Sequence, residues 1–286
     1  MMKNTNPTLA KAQTRSSASS HGRRTAPLLG ALLLALALAA CDASQVGLPS
    51  AAPTVTLPVA TPGGADPTVA APICVLTGVH FDGDVTVPEG RSCLFTDVTV
   101  DGNLVLARTA RVTMTRGAVD GNVLVYPGAS FSADRTIVDG NVQAERGEVV
   151  ELRSASVDGD VQADRTRATI VAGGSVGGNV QVDGGASVQV TGARVDGNVQ
   201  LDGLRGPITI RSSSADDVQL EGNAGAIAID ANSVAGNVQL WDNGAIDVSD
   251  NRIAGDLQCG GNSPPPTGGG NRVDGDAEGQ CSRLAH

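Results

Sequence analysis

The chain has 286 residues and a formal net charge of −10, which leaves room for one or two domains. Aromatic residues make up only 2% of it, against 37 glycines, so an interior built on aromatic area is excluded and Val, Ala, Leu and Ile must fill the core; Gly and Pro are still too few for a collagen-like or low-complexity chain. Both lysines and three arginines precede residue 41, so from Cys41 onward 15 arginines face 30 acids, a net −15; such a surface repels phosphate backbones and argues against nucleic-acid binding, while it admits divalent cations or basic partners.

The N-terminus comes first in chain order. Residues 1–24 carry only positive charge, and residues 27–40 form the apolar run PLLGALLLALALAA, shorter than the roughly 20 residues a membrane span needs. A positive region, an apolar run and small closing residues have the layout of a secretory signal. The run ends Leu38-Ala39-Ala40-Cys41, which resembles the lipobox of bacterial lipoproteins. That resemblance implies removal of residues 1–40, acylation (palmitate included) of Cys41, and a chain anchored on the outer face of the cell membrane, or in the periplasm or on the outer membrane if the envelope is Gram-negative. Stable attachment of this kind takes two or more acyl chains. Residues 41–73 follow with six prolines among Ala, Thr, Val and Ser. Pro at this density blocks helices and ladders and favours extended chain, so this stretch is expected to be a tether.

Residues 74–282 are periodic. Aligned on a Val-Asp-Gly-Asn-Val core, the glycines fall at Gly83, Gly102, Gly121, Gly140, Gly159, Gly178 and Gly197, then Asp216 in the same place, then Gly236, Gly255 and Gly275. A fixed period near 19 residues indicates a solenoid. Apolar residues recur two, four, ten, twelve and seventeen places after the glycine, as in Val180, Val182, Val188, Val190 and Val195. Pairs two apart mark short strands with one face inward. Three such stretches per repeat predict an all-β, single-stranded parallel β-helix of about ten 19-residue coils, with a right-handed coil as the expectation and residues 283–286 as a tail. The turn glycine is expected to supply a permissive backbone. The residue after it is Asn or Asp in every copy, from Asp84 and Asn103 to Asp276, and is expected to stack as an amide ladder. Gln143, Gln162, Gln181, Gln200, Gln219, Gln239 and Gln258 form a second column, expected to face solvent.

The other cysteines are spaced to suit the coils. Cys74 and Cys93 stand one repeat apart, and Cys259 and Cys281 bracket the last coil. Neighbouring strands lie within the Cα range a disulfide accepts, so two end staples are expected, consistent with export. The unit Gly140-Asn141-Val142-Gln143-Ala144 is similar to the repeat of bactofilins, polymer-forming bacterial β-helices. The closing Leu257-Gln258-Cys259 and Glu278-Gly279-Gln280-Cys281 look like the ends of a group of secreted bacterial repeat proteins. These resemblances imply a β-helical architecture and, for bactofilins, a cytoplasmic polymer, from which the export signal and the stapled ends depart.

Motifs for chemistry are scarce. There is no Gly-x-Ser-x-Gly, phosphate loop or zinc spacing, and His21, His80 and His286 suggest no constellation. No catalytic residue and no cofactor are expected. Glu151 with Arg153, or Asp134 with Arg153 on adjacent coils, are the pairs a polysaccharide-cleaving face would use, and surface ion pairing explains them as well. Phe81, Phe95, Phe131, Tyr126 and Trp241 are the available aromatic platforms, with Trp241 expected to point outward. Asp101, Asp120, Asp139 and Asp158, with Asp82 before them, precede the turn glycine on successive coils and are calcium candidates, against a plain Asx bond from each to its own turn. The expectation is a surface-anchored structural or binding lipoprotein whose partners are the membrane, through its lipid, and cell-wall polysaccharide or other envelope components. The alternatives are a polysaccharide-degrading enzyme and a self-associating scaffold.

Overall fold

A computed structural model describes residues 73–285 and the dipeptide Val55–Thr56. Among the described residues there is no helix. The chain winds into a parallel β-solenoid with three sheets, here named A, B and C, of twelve, eleven and eleven strands. Eleven coils form, against the expected ten or so.

One coil shows how the sequence does this. After Gly140, Val142–Glu145 joins sheet A, Val149–Arg153 joins sheet B and Ser156–Val157 joins sheet C. Side chains alternate across each strand, so Val142, Ala144, Val150, Leu152 and Val157 are buried while their neighbours face out. Those five positions are the ones the apolar spacing marks. Each strand pairs in parallel with its copy one repeat on: Val123 with Val142, Val142 with Val161, Val161 with Val180. One coil cannot cover its own apolar residues. Eleven stacked coils merge them into one continuous core, each Val-sized side chain contributing about 1.5–3 kcal/mol when fully buried. At about 4.8 Å per step, ten steps make a solenoid roughly 48 Å long.

The turns fix the stacking. The backbone N–H of Asn103 donates to Asp84 Oδ1 at 2.7 Å, and that of Asn122 to Asn103 Oδ1 at 2.9 Å. The series continues unbroken to Asp276, whose N–H donates to Asp256 Oδ1 at 2.9 Å. The preceding glycine serves a different purpose from the one expected. Apart from Gly83, at φ 143°, no glycine of this column has a left-handed φ. What excludes a side chain is proximity: a Cβ at Gly140 would sit 2.6 Å from the Gly121 carbonyl oxygen and 2.7 Å from Asn122 Oδ1. Left-handed backbone occurs instead at the other corners. The corner after sheet B is left-handed from Gly78 (φ 63°) through Asp97, Arg116 and Arg135 to Asp250 and Gly270.

A second kind of ladder lies inside the C-terminal coils. Asn223, Asn243 and Asn262 are buried just past the sheet A corner, and Asn232, Asn251 and Asn271 just past the sheet B corner. Asn243 shows the pattern: its side-chain N–H groups donate to Leu220 O and Asn262 Oδ1, and its Oδ1 accepts from the backbone and side chain of Asn223. In earlier coils the same inner corners hold small or apolar residues, Ala110, Ala129, Thr136, Ala155, Thr166, Ala193 and Leu204 among them, before Ser213 opens the sheet B ladder by donating its N–H to Asn232 Oδ1.

Both ends are tied. Cys74–Cys93 and Cys259–Cys281 are disulfides with Cα atoms 4.5 Å and 5.4 Å apart. At the C-terminal end Leu284 is buried and its carbonyl accepts from Asn271 Nδ2, so a final turn covers the last coil. At the other end Val55–Thr56 pairs with Val85–Thr86 on sheet A. The stretch expected to be only a tether thus supplies a strand; its two β-branched residues suit a ladder and cover an otherwise open edge. Apart from these two residues and Ile73, that stretch lies outside the described residues.

Two measurements test this packing. By denaturant unfolding, Gly140→Ala should lower stability by about 1–3 kcal/mol, the range for overpacking, whereas Thr109→Gly should raise it by about 1 kcal/mol, because Thr109 holds a β-branched side chain at φ 55°. Matching midpoints for Gly140→Ala and the unaltered chain would show that the turns have room to spare. Asn243→Leu should cost on the order of 3 kcal/mol, since it strands the Asn223 N–H and the Leu220 carbonyl in the core; a neutral result would mean the ladder carries no stability.

Candidate functional site

Sheet A offers the most organised outer surface. Its strands end in two outward positions two residues apart, so each coil contributes one residue to each of two parallel columns. The first column is the glutamine series. Its side chains bond along the stack, Gln143 to Gln162, Gln162 to Gln181, Gln181 to Gln200 at 2.9 Å and Gln200 to Gln219. The expected external amide ladder is present, and it resumes from Gln239 to Gln258 at 3.0 Å.

The second column was not singled out from the sequence. Glu145, Asp164, Asp183, Asp202 and Glu221 stand opposite one another on five successive coils, and Trp241 follows Glu221 in register. Tyr126 stands one repeat before Glu145. The only Tyr and the only Trp of the chain therefore bracket a row of five acids. The signal was available, since all seven lie five places after the turn glycine or its substitute. Between the columns run two shallow grooves of about 470 and 530 Å³ that share Gln162 and Asp164, so they form one trough from Tyr126 to Glu221.

The acids are not equivalent. Arg146 pairs with Glu145 at 2.5 Å and Arg165 with Asp164 at 2.6 Å. Hydrogen bonding from Arg165, with the charges of Arg165 and Arg146, holds the Asp164 carboxyl below its ordinary value. On the next three coils the residue after the acid is Gly184, Gly203 or Gly222. Among the described residues, Asp183, Asp202 and Glu221 have no ion-pair partner. Trp241 is partly exposed, and its ring occupies the space a side chain at Gly260 would take, so it lies along the sheet at the end of the row.

The other candidates are placed as follows. Of the aromatic platforms, Phe95 and Phe131 are core residues and Phe81 is half-buried against the core, which leaves Tyr126 and Trp241. Glu151 pairs with Arg153, whereas Asp134 pairs with Arg135 at 2.7 Å although Arg153 is its register partner. Asp101, Asp120, Asp139 and Asp158 are all exposed. The Asx bond expected from each to its own turn is absent among the described residues, and so is a calcium-like gathering of the four, because each carboxylate points out into solvent one coil from the next. Asp101 instead joins His80, whose Nε2 lies 3.2 Å from Asp101 Oδ2 and 2.9 Å from Asp82 Oδ1. These three form a group with metal-ligand spacing, which corrects the reading that His80 has no constellation. Register explains it: His80 pairs with Thr99, which brings Asp82 and Asp101 to the same corner. Cys41, His21 and His286 lie outside the described residues.

Comparisons of the chain with protein-family models, with curated proteins and with solved structures each find no match.

The Asp164 pair gives a pH test. A carboxyl depressed in the folded state contributes stability above its unfolded value, 3.8, and that contribution is lost as pH falls through the lower folded value. Arg165→Ala should move the Asp164 titration, followed by carboxyl NMR, up toward 3.8. An unchanged titration would show that Arg165 does not set it.

Proposed function

We infer that this chain is an exported, lipid-anchored protein of the bacterial envelope whose solenoid serves a binding or structural role and catalyses no reaction. The observation that carries this is the pair of disulfides closing both ends of the solenoid. Disulfides persist in oxidising compartments, and they stand downstream of an apolar run that ends in Leu38-Ala39-Ala40-Cys41. A diacylated Cys41 would tether the solenoid to a membrane surface, with the Pro-rich stretch from residue 42 onward as spacer.

A binding role suits the architecture of sheet A. Its outer face is a long trough lined with amides, acids and the Tyr126 ring, features that hold a ligand without reacting with it. Glu151 with Arg153 and Asp134 with Arg135 are exposed ion pairs, the ordinary surface arrangement, and this disfavours the polysaccharide-cleaving alternative. The closed C-terminal turn, with Leu284 buried beneath it, disfavours a filament joined end to end in the manner of bactofilins.

The anchor is tested by growing an expressing bacterium on an alkyne-bearing palmitate analogue. The full chain should take up label and partition into detergent, and Cys41→Ser should abolish both. Unlabelled, aqueous-phase full-length chain would end the lipoprotein reading.

A further inference from the structure

We propose that the first three strands of sheet B, Cys74–Thr77, Ser92–Thr96 and Arg111–Thr115, rest on an anionic phospholipid surface, with Ile73, Val75 and Leu94 at the headgroup–acyl boundary and Arg108 and Arg111 on lipid phosphates. This deepens the membrane-anchored reading above and rests on it.

The argument starts from apolar side chains that the core does not use. Inward positions of these strands bury Cys93, Phe95, Val112 and Met114, and the positions between them face out. On the first two strands the outward positions include Val75 and Leu94, and Ile73 just before them, at 64%, 43% and 57% exposure. Val75 and Leu94 are register partners, about 4.8 Å apart, and Ile73 stands two residues from Val75 on the same face. Among the described residues six large apolar side chains are exposed. Three of them meet here, while Ile137 is on sheet C and Tyr126 and Trp241 are six coils apart along sheet A. Exposed apolar residues that cluster mark a contact surface, whereas single ones do not.

Charge selects what covers the patch. From Ile73 to Thr115 the outward positions of sheet B hold no acid, in a chain with 30 of them; the first is Asp134, on the fourth strand. Arg111 edges the patch, one coil on from Ser92. Arg108 stands at the adjoining corner, and both are exposed. Arg91, half-buried, lies between them: its carbonyl accepts the Arg111 N–H at 2.7 Å, and the Gly90 N–H donates to the Arg108 carbonyl at 3.1 Å. None of these three arginines has an ion-pair partner among the described residues, whereas the next four in the chain, Arg116, Arg135, Arg146 and Arg153, each pair with an acid. Glu89 is the one acid at that corner, so cations prevail there. Apolar side chains edged by unpaired arginines suit a membrane interface. The apolar groups enter the headgroup boundary, and guanidinium groups grip phosphate with two parallel bonds. A second copy docked on the same patch would bring both sets of arginines to one interface.

The path of the chain delivers this patch to a membrane. Thirteen residues separate Cys41 from Val55, which pairs with Val85 at the edge of the first coils. An extended stretch of that length reaches about 50 Å at most. An acylated Cys41 would therefore hold the patch near the bilayer at high effective concentration, so a small contact suffices.

The test uses the full acylated chain, reconstituted on vesicles of phosphatidylcholine alone or of equal parts phosphatidylcholine and phosphatidylglycerol. The lipids are brominated near the headgroup end of their acyl chains, and single tryptophans are placed in a Trp241→Phe background. On the anionic vesicles Leu94→Trp emission should shift blue and fall by about twofold or more, as a side chain in the interface requires. Ile170→Trp, in the same outward column four coils on, should not be quenched. Arg108→Gln with Arg111→Gln should restore most of the Leu94→Trp emission, since each arginine is expected to favour contact about fivefold; an unchanged melting curve by circular dichroism confirms that the fold is intact. The proposal falls if Leu94→Trp is unquenched on vesicles that carry the chain, if Ile170→Trp is quenched equally, or if the arginine substitutions change nothing. A blue shift without quenching, the mark of two copies pairing through the patch, also overturns it. Flotation separates the two readings: a chain that floats unquenched ends the docking alone, and a chain that does not float ends the anchor and the docking together.

Discussion

The contact between one turn and the next governs this molecule. At each coil an Asn or Asp oxygen accepts the backbone N–H of the residue one coil on, and at every coil but that of Asp216 a glycine beside it lets the two backbones close to within the reach of that bond. The bond is modest singly, of order 1 kcal/mol, but it repeats at ten steps and always joins equivalent positions. It therefore fixes register. In a strand, a slip of one residue would turn every inward side chain outward. With the turn pinned, the valines stay inside, and each outer position becomes a straight column.

The buried asparagines extend this constraint to where it is most needed. The turn column advances by 19 residues seven times and then by 20, 19 and 20, and sheet B takes its first 20-residue step at Val188 and Ile208. Coils of unequal length can stack in more than one way, and an apolar corner tolerates a small shift. A buried amide does not, because a displaced Asn243 leaves its own groups and those of Asn223 and Leu220 without partners in a medium of low dielectric. The ladders bridge the longer steps, from Asn223 to Asn243 and from Asn251 to Asn271. The first 20-residue step, from Ala193 to Ser213, is spanned instead by the Ala193 N–H donating to Ser213 Oγ.

How much of this is legible in the sequence follows from how each feature is encoded. The coil, the three strands, the turn ladder and the outer glutamines each repeat one kind of residue at a constant offset from the glycine, and the cysteines stand in pairs at the two ends of the repeat, so all can be read directly. The left-handed corners cannot, because Asp97, Arg116, Arg135, Ser154 and Gly173 share a backbone conformation and no chemistry. The Asn ladders are hidden by the added residues that displace them from a 19-residue count. The acid column is hidden for another reason: Asp and Glu are common throughout this acidic chain, and only their alignment between Tyr126 and Trp241 distinguishes these five. The reason for the glycines was also out of reach, since a glycine kept for close approach and one kept for a left-handed φ look the same in sequence.

A solenoid turns a choice at one residue into a property of a surface. Two unit charges about 4.8 Å apart repel by about 1 kcal/mol even in bulk water, and a column stacks them at that distance with no freedom to spread. The chain relieves this at Glu145 and Asp164 by placing an arginine on the adjoining corner. At Asp183, Asp202 and Glu221 the corner is as well placed to carry a cation, since a similar left-handed backbone holds arginine on the two coils that precede them. Glycine suits that angle better and would be expected if local backbone comfort alone decided, yet it leaves the repulsion standing. The repulsion is tolerable because all three carboxylates stand on an open, solvated face.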